Sequence, residues 1–272
     1  MNLLDFSDFK IVDSHIHLYD LNEFENFLNV YKTSFKTLKK YTVLVSLHSK
    51  KEFDFLEELK KKSQSEENLK IFTSFGLHPQ NPSLVELDFL ESLLKNKKID
   101  AIGEMGFDLF SDSFKKNISS QEKAFNIQLE LALFYNVPVV LHFRKGLEYI
   151  YRYADKLKKS PAVLFHSFFW SDFEAFSILK KIESSFFSFG KALLNSNKKA
   201  FSCLKNLPLS AILLETDAPF QTLKDEPYTK EDAIFAVYKK AYKIKKDYSF
   251  ENKSFFEFSE VLANNFNILL SN

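Results

Sequence analysis

Arginine is almost missing from this 272-residue chain: only Arg144 and Arg152 carry a guanidinium, and lysine supplies the rest of the positive charge. Cysteine occurs once, at Cys203, which excludes an internal disulfide and fits a reducing compartment. Neither sign of charge is in excess. A formal net charge of +1 leaves no broad basic footprint for nucleic acid and no acidic tail. No apolar run approaches the roughly 20 residues that span a bilayer. The opening MNLLDFSDFK carries aspartates in place of the basic-then-apolar pattern of a secretory signal. These absences predict a soluble, cytoplasmic protein with no membrane association and no evident obligate protein partner. Glycine is also scarce, at five residues, so each should mark a place that needs positive φ or close backbone approach.

What is present is a large apolar fraction, 45%, with 32 phenylalanines. Short β-rich runs at 10–17, 41–47, 70–76, 100–104, 137–143, 162–168, 185–190 and 210–217 alternate with lysine- and glutamate-rich stretches of helical spacing. Residues 51–62 place Phe53, Leu56 and Leu59 on one helical face. A second helix is expected from Ser119 or Ser120 to about Asn136, and a last one in FFEFSEVLANNFNILL. Lysine pairs at 39–40, 97–98, 158–159 and 180–181 stand where helices would end, next to the negative pole of the dipole. Strands alternating with helices specify βα units on a parallel sheet. The expectation is a single-domain TIM-type (β/α)8 barrel over residues 1–272, with a metal site at the C-terminal ends of its strands.

The chemistry-bearing residues fall at those ends. In IVDSHIHLYD (11–20), alternation along an extended strand predicts that His15 and His17 project together with Asp13 in line behind them. His48 and His78 follow the second and third strands; Glu104, His142, His166 and Asp217 end the fourth, fifth, sixth and eighth. Thus all six histidines sit at or just past a strand end, as do Gly76, Gly103, Gly106 and Gly190, where side chains would clash with a bound ion or substrate. Imidazole mixed with carboxylate suits zinc or manganese, and the carboxylates could hold magnesium. Four histidines with two carboxylates exceed the needs of one open catalytic ion. They fit two divalent ions about 3.5–4 Å apart, with Glu104 as the bridge.

With these residues in view, the chain resembles the TatD family of metal-dependent deoxyribonucleases, within the amidohydrolase-like barrels. The likeness runs in order through DSHIHL (13–18), FGLHPQ (75–80), AIGEMGFDLF (101–110), QEKAFNIQLELALFYNVPVVLHFR (121–144), FHSF (165–168) and LLETDAPF (213–220), with weaker echoes in DEPY (225–228) and NNFNILL (264–270). The resemblance implies His15, His17, Glu104 and Asp217 around one metal, and Glu104 shared with a second held by His142 and His166. It implies that Asp217 accepts a proton from the attacking water, that His78 and Arg144 lie near substrate phosphate, and that Asp108 and Glu215 orient the ligands. The implied activity is a 3′→5′ exodeoxyribonuclease; the near-neutral charge and a barrel-top site suit single-stranded DNA ends better than long duplex.

Two departures stand out. HSFFWS (166–171) has Phe169 and Trp170 where the family has a small Thr-Gly pair, a change that either stacks on a base, narrows the entrance or packs under a loop. His48 has no counterpart in the family pattern and reads as a surface or supporting histidine. Two rival functions compete: hydrolysis of a different bond on the same scaffold, such as D-aminoacyl-tRNA deacylation or another ester or amide, and metal binding without catalysis.

Overall fold

Eight strands form in the computed structural model, which describes residues 8–195, 197–250 and 253–271. They are β1 (Lys10–Ile16), β2 (Lys40–Leu47), β3 (Leu69–Phe75), β4 (Ala101–Asp108), β5 (Val139–Arg144), β6 (Val163–Phe165), β7 (Ser185–Phe189) and β8 (Ile212–Leu214). Each pairs in parallel with the next, in the order β1 to β8. The seam between β8 and β1 is joined by Asp217 N to His15 O, 3.0 Å, and His17 N to Ala218 O, 2.8 Å. Side chains add to it: Ser14 Oγ donates to Leu214 O, and the Asp13 carboxylate accepts from Thr216 N and Thr216 Oγ1. The chain is a TIM-type barrel whose closure ties the first histidine motif to the last aspartate motif.

Inside the barrel, Val12, Leu44, Ala101, Val140, Leu164, Phe186 and Leu213, one from each of seven strands, form an apolar layer, with Phe72 of β3 against it. The C-terminal helix Phe255–Leu270 plugs this end with Ala263, Phe266 and Leu269. The outward residues of the strands, among them Ile11, Val43, Met105, Leu141, Phe165 and Phe187, pack under the surrounding helices, as expected of strands buried on both faces.

Helices form at Lys50–Lys62 and Ile118–Tyr135. The second starts one residue ahead of the serines and stops at Asn136, whose left-handed φ of 52° ends it. Lys180 and Lys181 lie in the last turn of Asp172–Lys181, and Lys158–Lys159 follow Leu147–Leu157. Lys40, by contrast, already begins β2. Met1 to Ser7, most of the opening stretch, lie outside the described residues. Among the described residues no helix is long and apolar enough to cross a membrane.

Two expectations need correction. β4 does not end at Glu104 but continues to Asp108. The glycines, furthermore, do not clear space for a ligand. A Cβ on Gly103 would stand 2.4 Å from Val140 O, and one on Gly106 2.0 Å from His142 O. Both, with φ near 150°, serve the close approach of β4 to β5.

Candidate functional site

Simple alternation does not aim the first two histidines. Val12 faces the barrel interior, so alternation would carry Ser14 and Ile16 inward with it. Instead the pairing of β1 with β2 slips between Asp13 and Ile16, adding a residue to β1. β4 carries a matching slip between Ile102 and Met105. These bulges re-aim the following side chains, so His15 and Glu104 turn inward three residues after Val12 and Ala101. Asp13 is not in line behind the histidines; it bonds Thr216 and the backbone of His15 at the seam.

All the predicted ligand residues converge at the mouth of the barrel. His15 Nε2 and His17 Nε2 are 3.1 Å apart, and each lies 3.2 Å from Glu104 Oε2. Asp217 Oδ1 is 3.6 and 3.3 Å from the same two nitrogens. Ligands at 2.0–2.1 Å around a tetrahedral ion stand about 3.3–3.4 Å from one another, which is the spacing of this group. On the other side of Glu104, its Oε1 is 3.2 Å from His142 Nδ1 and 2.8 Å from His166 Nε2, with the two nitrogens 3.1 Å apart. The residues present therefore fit divalent ions, and each Glu104 oxygen serves a different histidine pair.

Supporting contacts fix these side chains. His142 Nε2 lies 3.2 Å from Asp108 Oδ2, a carboxylate that sets which ring nitrogen faces inward. Gln80 Nε2 donates to the same oxygen at 2.8 Å. On the helix Ile118–Tyr135, two buried glutamines a heptad apart clamp the adjoining loops. Gln121 bonds Asp108 N and O, and Gln128 bonds Leu77 N and O. Glu215 accepts from Ser188 Oγ and from Ser167 N. Gln221 Nε2 reaches Asp217 Oδ2 at 2.9 Å and Ser167 Oγ at 2.7 Å. Ser167, Asp217 and Gln221 all hold left-handed φ between 49° and 54°, backbone strain concentrated at the site.

Burial alone would raise the Glu104 carboxyl, but His166, His15 and His78 hold it well below the ordinary carboxylate range. Burial likewise opposes Asp217, which the hydrogen bond with His17 and the charges of His15 and His166 bring down to about 2. His15 falls to about 4 through burial and its neighbour His166. His142 rises to about 9, since bonds to Asp108 and Glu104 outweigh its burial. The centre thus sets ionised carboxylates against imidazoles, and their negative charge has to be met by protons or by metal cations.

The site opens into a cavity of about 650 Å³. His78 Nε2 lies 3.5 Å from Glu104 Oε1, while its Nδ1 accepts from Gln80 N, so in the neutral ring Nε2 carries the hydrogen. Arg144, 40% exposed, lies over the Phe110 ring at 4.2 Å and stands 3.8 Å from Asp108 Oδ2. It therefore lines the cavity and also makes the ion pair that a purely structural role would require. Phe169 faces the cavity, whereas Trp170 is buried behind it and stacks on it at 4.2 Å. His48 is drawn into the wall rather than left at the surface.

The profile described as TatD related DNase matches residues 12–271. The chain belongs to that family. Over 158 residues it is 32% identical to the uncharacterized metal-dependent hydrolase YabD of Bacillus subtilis, a match covering 56% of this chain and 60% of that protein. Over 167 residues it is 32% identical to the 3'-5' ssDNA/RNA exonuclease TatD of Pantoea ananatis, covering 57% and 60%. The chain thus spans about 60% of the length of these curated relatives. The crystal structure of the Escherichia coli TatD homolog YjjV gives a TM-score of 0.77 at 23% identity, over 96% of this chain and 97% of that one. A TatD family hydrolase from Entamoeba histolytica gives 0.76 at 21%, over 97% and 98%. Both structures show the same fold.

Sequence reasoning placed Gln121 and Gln128 within the family-like stretch 121–144 but gave them no role. Gln121 and Gln128, seven apart on a helix with apolar neighbours, carry a signal that could have found them: two amides on the face turned to the barrel.

Proposed function

We propose that this protein hydrolyses phosphodiester bonds, removing nucleotides in the 3′→5′ direction from single-stranded DNA ends. Two divalent ions would be held by His15, His17, Glu104 and Asp217 on one side and by Glu104, His142 and His166 on the other. The observation that carries this reading is the division of the two Glu104 oxygens between separate histidine pairs. When bound, such ions supply Lewis acidity at phosphate oxygens and lower the pKa of a nearby water; zinc, manganese and magnesium are the candidates.

This chain's own residues do the rest. Water attacks phosphorus, the P–O bond to the leaving group breaks, and Asp217 takes the water's proton. Arg144 offers a two-pronged contact to phosphate, and its bed on Phe110 keeps the guanidinium oriented. His78 adds an N–H donor aimed at the same space. The rings of Phe169 and Phe220 line the cavity and offer π faces to unpaired bases, which a duplex would keep stacked. A near-neutral chain lacks the charge to clamp long duplex, which favours ends. The single thiol is buried, in keeping with action in the reducing cytoplasm.

The test is nucleotide release from 3′-labelled and 5′-labelled single-stranded DNA with Mg²⁺, Mn²⁺ or Zn²⁺, beside Asp217→Asn. Stepwise loss from the 3′ end, absent in the variant, is expected. No release with any ion would contradict the reading and direct attention to aminoacyl-tRNA and other esters.

A further inference from the structure

His48 is the one histidine that neither the metal-holding set nor the phosphate contacts absorb. It directly follows β2, and its position is fixed from two sides. Its backbone N–H donates to Glu52 Oε2 at 2.6 Å, and Glu52 is itself tied to Ser49, the cap of the helix Lys50–Lys62. Its ring Nδ1 lies 3.0 Å from the carbonyl oxygen of Gly76. That carbonyl cannot swing away: Gly76 N is bonded to Leu47 O, and a Cβ on Gly76 would already stand 2.8 Å from Gly103.

A carbonyl oxygen only accepts, so Nδ1 must be the N–H and, in the neutral ring, Nε2 holds the lone pair. This nitrogen is buried, makes no hydrogen bond, and sits 3.4 Å from Glu104 Oε2. A lone pair facing a carboxylate oxygen is repulsive unless a proton or a metal cation lies between them, and a metal centre supplies the cation. Two other buried imidazole nitrogens lack hydrogen-bond partners among the described residues, His15 Nδ1 and His166 Nδ1, but in those rings the opposite nitrogen already faces the centre. Of these three buried nitrogens, the one in His48 is the inward one. His78 is the instructive contrast. The two rings pack at 5.2 Å, yet the backbone N–H on His78 Nδ1 fixes the opposite tautomer, so His78 presents a hydrogen where His48 presents a lone pair.

Resting on the reading of the site as a metal centre, we infer that His48 Nε2 is a fifth nitrogen donor, beside His17 on the Glu104 Oε2 side. The consequence is one of selectivity. An added imidazole shifts this half of the centre towards zinc and cobalt and away from magnesium, which prefers oxygen.

The experiment titrates metal-free protein with Co²⁺, reading both uptake and the visible spectrum of the bound ion, for wild type, His48→Asn and His48→Gln. The Asn amide nitrogen takes the place of Nδ1, keeps the bond to Gly76 and deletes Nε2. It is expected to weaken uptake of one of the two ions by at least the roughly 10–100-fold that losing a mere outer-sphere partner costs, and to intensify the cobalt bands as coordination falls. Mg²⁺ affinity should change little. The Gln side chain, whose amide oxygen reaches towards the Nε2 position, should recover part of the loss, and it serves as the second probe should the Asn variant fail to fold. Identical cobalt affinities and spectra in wild type and both variants would overturn the role of His48 alone. A wild type that takes up no cobalt would overturn the metal-centre reading as well.

Discussion

Two layers of the same barrel, separated by a single alternation of the strands, do opposite work. The lower layer is Leu44, Phe72, Val140, Leu164, Phe186 and Leu213, sealed by Phe266 of the last helix at 5.5 Å from Phe72. Two residues further along the chain come Ser46, Ser74, His142, His166, Ser188 and Glu215, all buried. Below, side-chain volume decides; above, small serines leave room for imidazoles, and charge and donor direction decide. The layers also differ in how they are aimed. Six strands reach the upper layer by plain alternation, whereas β1 and β4 reach it through a bulge, and those two supply His15 and Glu104. Two of the candidate metal-holding residues come from the irregular strands, because plain alternation from Val12 and Ala101 would turn Ser14 and Gly103 inward in place of His15 and Glu104.

The comparison breaks most severely at Glu104. Glu104→Ala is expected to lower turnover at least as far as loss of a general base would, about 10²–10⁴-fold, and to cut bound metal in elemental analysis. The folded barrel should persist, since the packing layer is untouched. Phe266→Ala does the reverse. Urea unfolding should show a loss of about 3–5 kcal/mol, with metal uptake by the folded fraction unchanged. A Phe266 variant that loses its metal would erase the distinction between the layers.

A smaller effect is expected at the rim. Phe169→Ala removes a face held by Trp170, and KM for single-stranded DNA should rise by the equivalent of about 1–3 kcal/mol per stacked base, with kcat nearly constant. An unchanged KM would return Phe169 to simple packing. The response to acid is graded, and is smallest close to pH 9. Asp108 and Glu104 raise His142 to about 9 against its burial, so an incoming ion must displace a proton from it below that pH. Metal affinity measured by titration should therefore fall as pH drops from about 9, by roughly tenfold per unit for each displaced proton. An affinity flat across neutral pH would show that His142 is not displaced.

Much of this was legible in the sequence, for physical reasons that can be named. Near-continuous apolar runs separated by helical spacing marked all eight strands, because strands covered on both faces leave no polar side. Histidine at a strand end is a strong signal in a chain with only six, and all six do gather at one mouth. The bulges were not legible. Nothing in DSHIH announces an extra residue, and the register that reveals it exists only against β2. Gly103 stands where the sequence suggests clearance for a ligand, yet a Cβ there would meet the backbone of β5. His48 escaped because its role depends on the carbonyl of Gly76, a contact between residues 28 apart. The Phe169–Trp170 pair divided the expectations, one ring lining the cavity and the other buried behind it.

The central claim is that the upper layer holds two divalent ions astride Glu104. Anomalous diffraction from crystals of the wild-type protein grown with Mn²⁺ or Zn²⁺ tests it most directly. The account predicts two peaks about 3.5–4 Å apart, one against His15, His17 and Asp217 and the other against His142 and His166. A single peak, or peaks away from Glu104, would contradict it.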